Sequence, residues 1–326
     1  MKNVVLCYPV EPRHVLQFQD GLPECNIIDA GQDGVAEKIM EADIFVGHAK
    51  VPVDWESVVD QGRLELIQSS AAGLDHCLVP SVVDSDIAVC SASGLFANQV
   101  GEQTLALLLG VLRSMPVFFR QSLVREFVRR PTDDLRGKRI GIVGLGGNGR
   151  RLVELLAPFD VSIWATDYYP VRQPPEVERL LPADGLGEMA ARSDILILAL
   201  PLNKSTRELV SEDVLRSMPS GSYLINVARG QVVDERALGE CLADGQLKAA
   251  GVDVTFEEPL PAESPLWGLD NVMITPHVGA QAATRVDDST RFAVANLQRF
   301  LRGDDLQNVV DKMLGFPHPD VMSVNQ

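Results

Sequence analysis

Residues 139–150 read RIGIVGLGGNGR, an apolar run of strand character that breaks at Gly144 and leads into the helical pattern GRRLVELLA of residues 149–157. In a strand–turn–helix context this glycine spacing divides the work. Gly144 makes the tight turn, Gly146 admits a diphosphate to the backbone, and Gly149 lets the helix pack close to the strand. Gly147 and Asn148 complete the loop ahead of the helix, whose N-terminus faces the phosphates. The next apolar run, VSIWATD (161–167), ends in Asp167, about 20 residues beyond the glycines, where a carboxylate accepts hydrogen bonds from an adenosine ribose and repels a 2′-phosphate. The expected cofactor is therefore NAD rather than NADP, although Arg172 lies near enough in sequence to meet such a phosphate.

Working outward, strands are expected at 139–144, 161–165, 194–200, 222–227, 247–253 and 272–275, with helices in most of the gaps. A continuous run such as ILILAL (195–200) means burial on both faces, the mark of a doubly wound parallel sheet. The fingerprint begins at residue 144 of 326, so a separate α/β unit precedes it, with short strands expected at 3–7, 43–47, 64–68 and 87–90. Between the two series, residues 98–130 read as two tandem helices interrupted at Pro116 and connecting the domains, and an amphipathic segment at 282–301 closes the pattern.

Composition narrows the function. With 46% apolar and 23% charged residues the chain has the balance of a soluble globular protein. The 45 acidic against 29 basic residues give a net charge of -16, which opposes binding to a nucleic-acid backbone. Five scattered cysteines without a Cys-x-x-Cys pair suggest neither a disulfide framework nor a metal site and suit a reducing cytoplasm. The start lacks the character of a signal peptide and the longest apolar run, 105–112, is too short for a bilayer, so no membrane partner is expected.

Two residues add chemistry to the cradle. Arg229 follows the strand SYLINV (222–227), where the carboxyl edge of an open sheet binds ligands, and its guanidinium can hold a 2-keto acid through two parallel hydrogen bonds. His277 follows NVMIT (271–275) and Pro276. Hydride transfer to a ketone leaves an alkoxide that needs a proton, and histidine titrates near neutral pH. His14, His48, His76 and His318 have no comparable setting.

The stretches AAGLD (71–75), VGEQTLALLLGVLR (100–113), GLGGNG (144–149) with Asp167, LPLNKSTRELV (200–210), NVARGQVVDERAL (226–238), GVDVTFEEP (251–259) and ITPHVGA (274–280) together resemble the D-isomer-specific 2-hydroxyacid dehydrogenase family. The resemblance implies two doubly wound parallel-sheet domains of α/β class. A Rossmann nucleotide-binding domain at 99–287 is inserted into a flavodoxin-like substrate domain formed by 1–98 and 288–326. It implies NAD-dependent, reversible reduction of small 2-keto acids to D-2-hydroxy acids, by a homodimer in which the helix from Asn98 makes contact.

Residue by residue, Arg229 matches the arginine contacting substrate carboxylate and carbonyl oxygen, and Glu258, directly before Pro259, matches the glutamate that hydrogen-bonds the histidine. A carboxylate there favours the imidazolium and keeps a proton available. The related formate dehydrogenases are expected to carry glutamine at that position. Asp253 matches the aspartate near the nicotinamide carboxamide; Leu200, Val227, Ala228, Gly279 and Ala280 match positions along the cofactor. Ala72 and Gly73 match residues whose backbone N–H groups bind the substrate carboxylate. Asn148 and the sequence VGEQ (100–103) depart from the family's usual apolar residue and V-A-E-H without removing a catalytic group. No appended regulatory domain is read beyond Asp311, so allosteric control is not expected. Transcriptional corepressors share the fold and the trio, so an NAD-sensing interaction protein is the alternative. The substrate's side chain stays open, because loops 48–54, with Lys50, and 92–98 shape its pocket.

Overall fold

A continuous apolar run demands cover on both faces, and the strands ILIL (Ile195–Leu198) and SYLIN (Ser222–Asn226) are buried throughout. A computed structural model, which describes residues 1–322, supplies that cover with helices on two parallel sheets. The chain divides into two compact units, Met1–Phe96 together with the segment from Ala282 onward, and Ala97–Gln281. The last four residues of the expected 288–326 segment lie outside the described residues.

In the first unit β1 (Lys2–Cys7), β2 (Cys25–Asp29), β3 (Ile44–Gly47), β4 (Leu66–Ser69) and β5 (Ala88–Cys90) form a parallel sheet in the order β2-β1-β3-β4-β5. That is the flavodoxin-like order. The periodicity does not reveal β2, because CNIID is a half-exposed edge strand without a continuous apolar run. The helix Arg285–Arg302 belongs to this unit: Thr290 Oγ1 hydrogen-bonds Tyr8 OH at 2.9 Å, and Val294 meets the backbone of Gly21 so closely that a Cβ there would stand 2.6 Å away. The expected boundary at 287/288 falls inside this helix; the units divide ahead of it, since the helix buries one continuous face.

The second unit contains β6 (Arg139–Val143), β7 (Ser162–Asp167), β8 (Val177–Pro182), β9 (Ile195–Leu198), β10 (Ser222–Asn226), β11 (Leu247–Val252) and β12 (Val272–Ile274). Their order is β12-β11-β10-β9-β6-β7-β8, all parallel, so the strand order reverses between β6 and β9. This is the doubly wound nucleotide-binding topology with one further strand, and the reversal opens a crevice at the carboxyl ends. Like β2, β8 is a half-exposed edge strand that the apolar pattern misses.

The tandem helices are Ala97–Leu112 and Met115–Leu123, both in the second unit. They break at Arg113 and Ser114, which takes a left-handed φ of 55°, and Pro116 sits in the first turn of the second helix, where its missing N–H costs nothing. Helix character ends at Leu123, short of the expected 130, where the chain leaves the core and most residues are exposed. Among the described residues no single helix is long and apolar enough to cross a membrane.

Candidate active site

The glycine loop follows β6 at the reversal point of the second sheet. Gly144 has φ +94°, and a Cβ there would lie 2.7 Å from the carbonyl oxygen of Ala199. At Gly149 a Cβ would lie 2.1 Å from the carbonyl oxygen of Gly144, so only hydrogen permits the helix to pack this close. Gly146 is different. Its backbone, at φ -72° and ψ -161°, is open to any residue, and no atom lies within 4 Å of where a Cβ would project. That open side heads the helix Gly147–Leu156, whose first residues Gly147, Asn148 and Gly149 carry N–H groups with no acceptor among the described residues, suited to a diphosphate.

Asp167 closes β7 with both oxygens engaged: Oδ2 accepts the Leu145 N–H at 2.6 Å and Oδ1 the Tyr169 N–H at 2.8 Å. Burial pushes its carboxyl above the ordinary value, and the two amides with the Arg150 charge offset this only in part. Each oxygen keeps a lone pair for a hydroxyl donor. The cradle thus has the turn, the open backbone and the acceptor that a dinucleotide requires.

Register brings the candidate side chains to the same edge. Val143, Leu198, Asn226, Val252 and Ile274 stand side by side across β6, β9, β10, β11 and β12. With about 4.8 Å between strands, the loops after β10 and β12 start roughly 10 Å apart. Asn226 organises the first of them: its Oδ1 accepts the Ala228 N–H at 3.0 Å and its Nδ2 donates to the Arg229 carbonyl at 3.1 Å. At Gly230 a Cβ would fall 1.9 Å from the Thr255 carbonyl group, so the loops after β10 and β11 touch backbone to backbone.

Thr255 leads to Glu258, whose Oε1 accepts the Thr255 N–H at 3.2 Å and whose Oε2 meets His277 Nδ1 at 2.8 Å. Burial pushes the Glu258 carboxyl up. The hydrogen bond and charge of His277, the Thr255 N–H and the nearby Arg229 charge outweigh it, so Glu258 lies below the ordinary value. Arg229, Glu258 and His277 therefore share one electrostatic neighbourhood.

His277 occupies a left-handed φ of 54°, which costs roughly 1–2 kcal/mol for a residue with a Cβ. Asp253, 3% exposed, supplies the restraint. Its carbonyl accepts the His277 N–H at 2.7 Å, and its carboxylate accepts Thr275 Oγ1 at 2.6 Å, Val278 N–H at 3.0 Å and Gly279 N–H at 2.8 Å. Hydrogen bonds to a charged group contribute about 1.5–3 kcal/mol each, so this clasp outweighs the strain. Gln103 Nε2 donates to Thr275 Oγ1 at 2.9 Å and extends it. The imidazole is left with Nε2 unbonded among the described residues and a side chain 44% exposed.

Leu200 and Ala228 are buried and Val227 half-buried beyond the ends of β9 and β10; Gly279 and Ala280 follow the Asp253 clasp. Ala72 and Gly73 belong to the first unit, beyond β4, where Ser69 Oγ accepts the Ala71 N–H at 3.0 Å. Among the described residues neither Ala72 nor Gly73 N–H has an acceptor. Lys50 donates its backbone N–H to Gln32 Oε1. His14 is buried with Nε2 2.6 Å from Asp287, and His48 stacks on His76 at 3.9 Å. Asn226, Thr275, Gln103 and Thr255 all lie inside stretches read from the sequence yet show their supporting roles only here.

Residues 105–279 match the family model of the D-isomer specific 2-hydroxyacid dehydrogenase NAD-binding domain. Glyoxylate reductase of Thermofilum pendens is 33% identical over 273 residues, covering 80% of this chain and 78% of that protein. D-3-phosphoglycerate dehydrogenase of Methanocaldococcus jannaschii is 30% identical over 86% of this chain, which spans about half, 54%, of that protein's length. The crystal structure of a D-isomer specific 2-hydroxyacid dehydrogenase from Xanthobacter autotrophicus Py2, in complex with NADPH and MES, aligns with a TM-score of 0.81 and 27% identity over 97% of this chain and 99% of its own. The chain belongs to the D-isomer-specific 2-hydroxyacid dehydrogenases, a family of oxidoreductases.

Two outcomes follow from the loop geometry. Gly146→Val should leave the melting temperature unchanged but abolish NADH binding in a fluorescence titration, whereas Gly149→Val should lower the melting temperature outright. The lowered Glu258 carboxyl makes its ionised form the one that folding favours, so its contribution is present at neutral pH and is lost as pH falls through the acid range. Thermal melts of Glu258→Gln against pH should therefore fall less steeply on the acid side than those of the parent; identical slopes would refute the coupling.

Proposed function

We propose that the chain catalyses NAD-dependent, reversible reduction of small 2-keto acids to D-2-hydroxy acids. The observation that carries this reading is the 2.8 Å Glu258–His277 pair, beside Arg229, on the sheet edge that also bears the glycine cradle. A nicotinamide dinucleotide supplies the hydride when bound. Gly144, Gly146, Gly147, Asn148 and Gly149 hold its diphosphate and Asp167 its adenosine ribose, which favours NAD over NADP. Leu200, Val227, Ala228, Asp253, Gly279 and Ala280 line the rest of the cofactor site.

Arg229 anchors the substrate through its carboxylate and carbonyl oxygen. His277 Nε2 gives its proton to the forming alkoxide oxygen, while Nδ1 stays hydrogen-bonded to Glu258, which holds the ring in place. In the oxidative direction the same nitrogen accepts the hydroxyl proton. Glutamate at 258 also argues against formate as hydride donor, given the glutamine expected of formate dehydrogenases. The scattered free cysteines, four of them buried, support a cytoplasmic setting.

A homodimer is part of the proposal. The helix Ala97–Leu112 is largely buried within its own unit, but the stretch after it exposes Phe119, Leu123, Val124, Phe127 and Val128, with Phe127 98% exposed. Apolar side chains clustered on a surface mark association, and an acidic chain gives no reason to seek nucleic acid there.

NADH consumption with glyoxylate, hydroxypyruvate, pyruvate and bulkier 2-keto acids tests the activity. Loss of a general acid lowers turnover by about 10²–10⁴-fold, so His277→Ala should do so while NADH still binds. Undiminished activity in that variant would remove the proposed proton source, and tight NADH binding without turnover of any keto acid would favour an NAD-sensing protein instead. For the assembly, light scattering on the Leu123→Asp, Phe127→Asp double variant should show a folded monomer where the parent is a dimer. A mass unchanged between the two sinks that interface.

A further inference from the structure

One side chain at the ribose end of the cradle has no part in the chemistry above. Arg150, the first residue after the glycine fingerprint, is half-buried and turns back from the helix Gly147–Leu156 to the loop that follows β7. Its Nη1 donates to the carbonyl of Arg172 at 2.7 Å and its Nη2 to the carbonyl of Val171 at 3.1 Å. Both terminal nitrogens of the guanidinium thus bond backbone carbonyls, which makes Arg150 a strap for the loop.

The strapped loop is the one that aims Asp167. Tyr169 N–H donates to Asp167 Oδ1 at 2.8 Å, and Val171 N–H folds back on the Tyr169 carbonyl at 2.7 Å. Arg172 then takes a left-handed φ of 55°, a conformation that persists only where surrounding contacts over-determine it. On its other side Asp167 is held by Leu145 N–H of the glycine turn. The carboxylate is thus clamped between cradle and loop, and the loop in turn is tied to the cradle's helix by Arg150. The Arg150 charge also favours the ionised form of Asp167, against burial that pushes the carboxyl up.

We propose that Arg150 is the positioning residue that sets cofactor choice: by strapping Val171 and Arg172 it orients Asp167 toward a ribose diol and against a 2′-phosphate. The inference rests on the reading of residues 144–167 as the nucleotide cradle. It concerns binding at the ribose end, remote from the reacting atoms, so its signature is a ratio between two cofactors.

The experiment titrates NADH and NADPH fluorescence against the full chain carrying Arg150→Met or Arg150→Lys, alongside the KM for each cofactor with a 2-keto acid that the parent reduces. Arg150→Met should lower the NADH-over-NADPH preference by about 10-fold, equivalent to about 1.4 kcal/mol, with the loss falling mainly on NADH affinity and KM. Arg150→Lys, which keeps the charge but can serve only one carbonyl well, should retain an intermediate preference. Two cofactors weakened equally, or a lowered melting temperature with an unchanged ratio, would show a structural strap and overturn the proposal. If Arg150→Met does not fold, an unchanged ratio in folded Arg150→Lys overturns it just as well. Failure of the cradle reading itself is separate, since it would appear as NADH binding that survives Gly146→Val.

Discussion

Across the second unit Val143, Leu198, Asn226, Val252 and Ile274 stand abreast in five parallel strands, and the candidate site depends on that register. A parallel sheet delivers every carboxyl end to one edge, so residues as far apart in sequence as Val143 and Leu198 leave the sheet as neighbours. A slip of one residue in any of these strands would turn its side chains to the opposite face and misdirect the loop beyond it. The near-complete burial of β9 and β10 protects against such slips, because each has apolar residues to cover on both faces.

Rigid strand ends do not by themselves aim a histidine. The strained φ of His277 is held by Asp253, which gives its carbonyl to the His277 N–H and its carboxylate to three further donors. Glu258 then fixes the ring through Nδ1 and leaves Nε2 open. Asn226 performs the parallel task for the Arg229 loop, and the absence of a side chain at Gly230 lets that loop lie against Thr255. Buried polar groups thus support the exposed ones. They are costly to bury without partners, and each is satisfied by the backbone it organises.

Local charge governs the site despite a net charge of -16. Charges on exposed surfaces are screened beyond about 8–10 Å in physiological salt, whereas an arginine and helix N–H groups at contact distance are not. An acidic protein can therefore present a cationic anchor and an anion cradle on one edge while its remaining surface keeps it dispersed.

The glycine spacing made the nucleotide fold legible, because Gly144 and Gly149 are required by backbone contacts that no other residue permits and so leave a mark in any sequence that folds this way. The edge strands β2 and β8 left no such mark: half-exposed strands tolerate polar residues, and CNIID and VERLLP carry no uninterrupted apolar run. Resemblance alone points to Glu258 in the sequence, and it is the fold that turns its Oε2 to His277. Residue types and their spacing determined the cradle, the alternation of strands and helices, and the set of groups able to anchor a keto acid and move a proton. Which side chains meet, and which hold others in place, was decided by tertiary structure alone, since Gln103 with Thr275 and Arg150 with Val171 and Arg172 are partners through register and loop closure that no local pattern encodes.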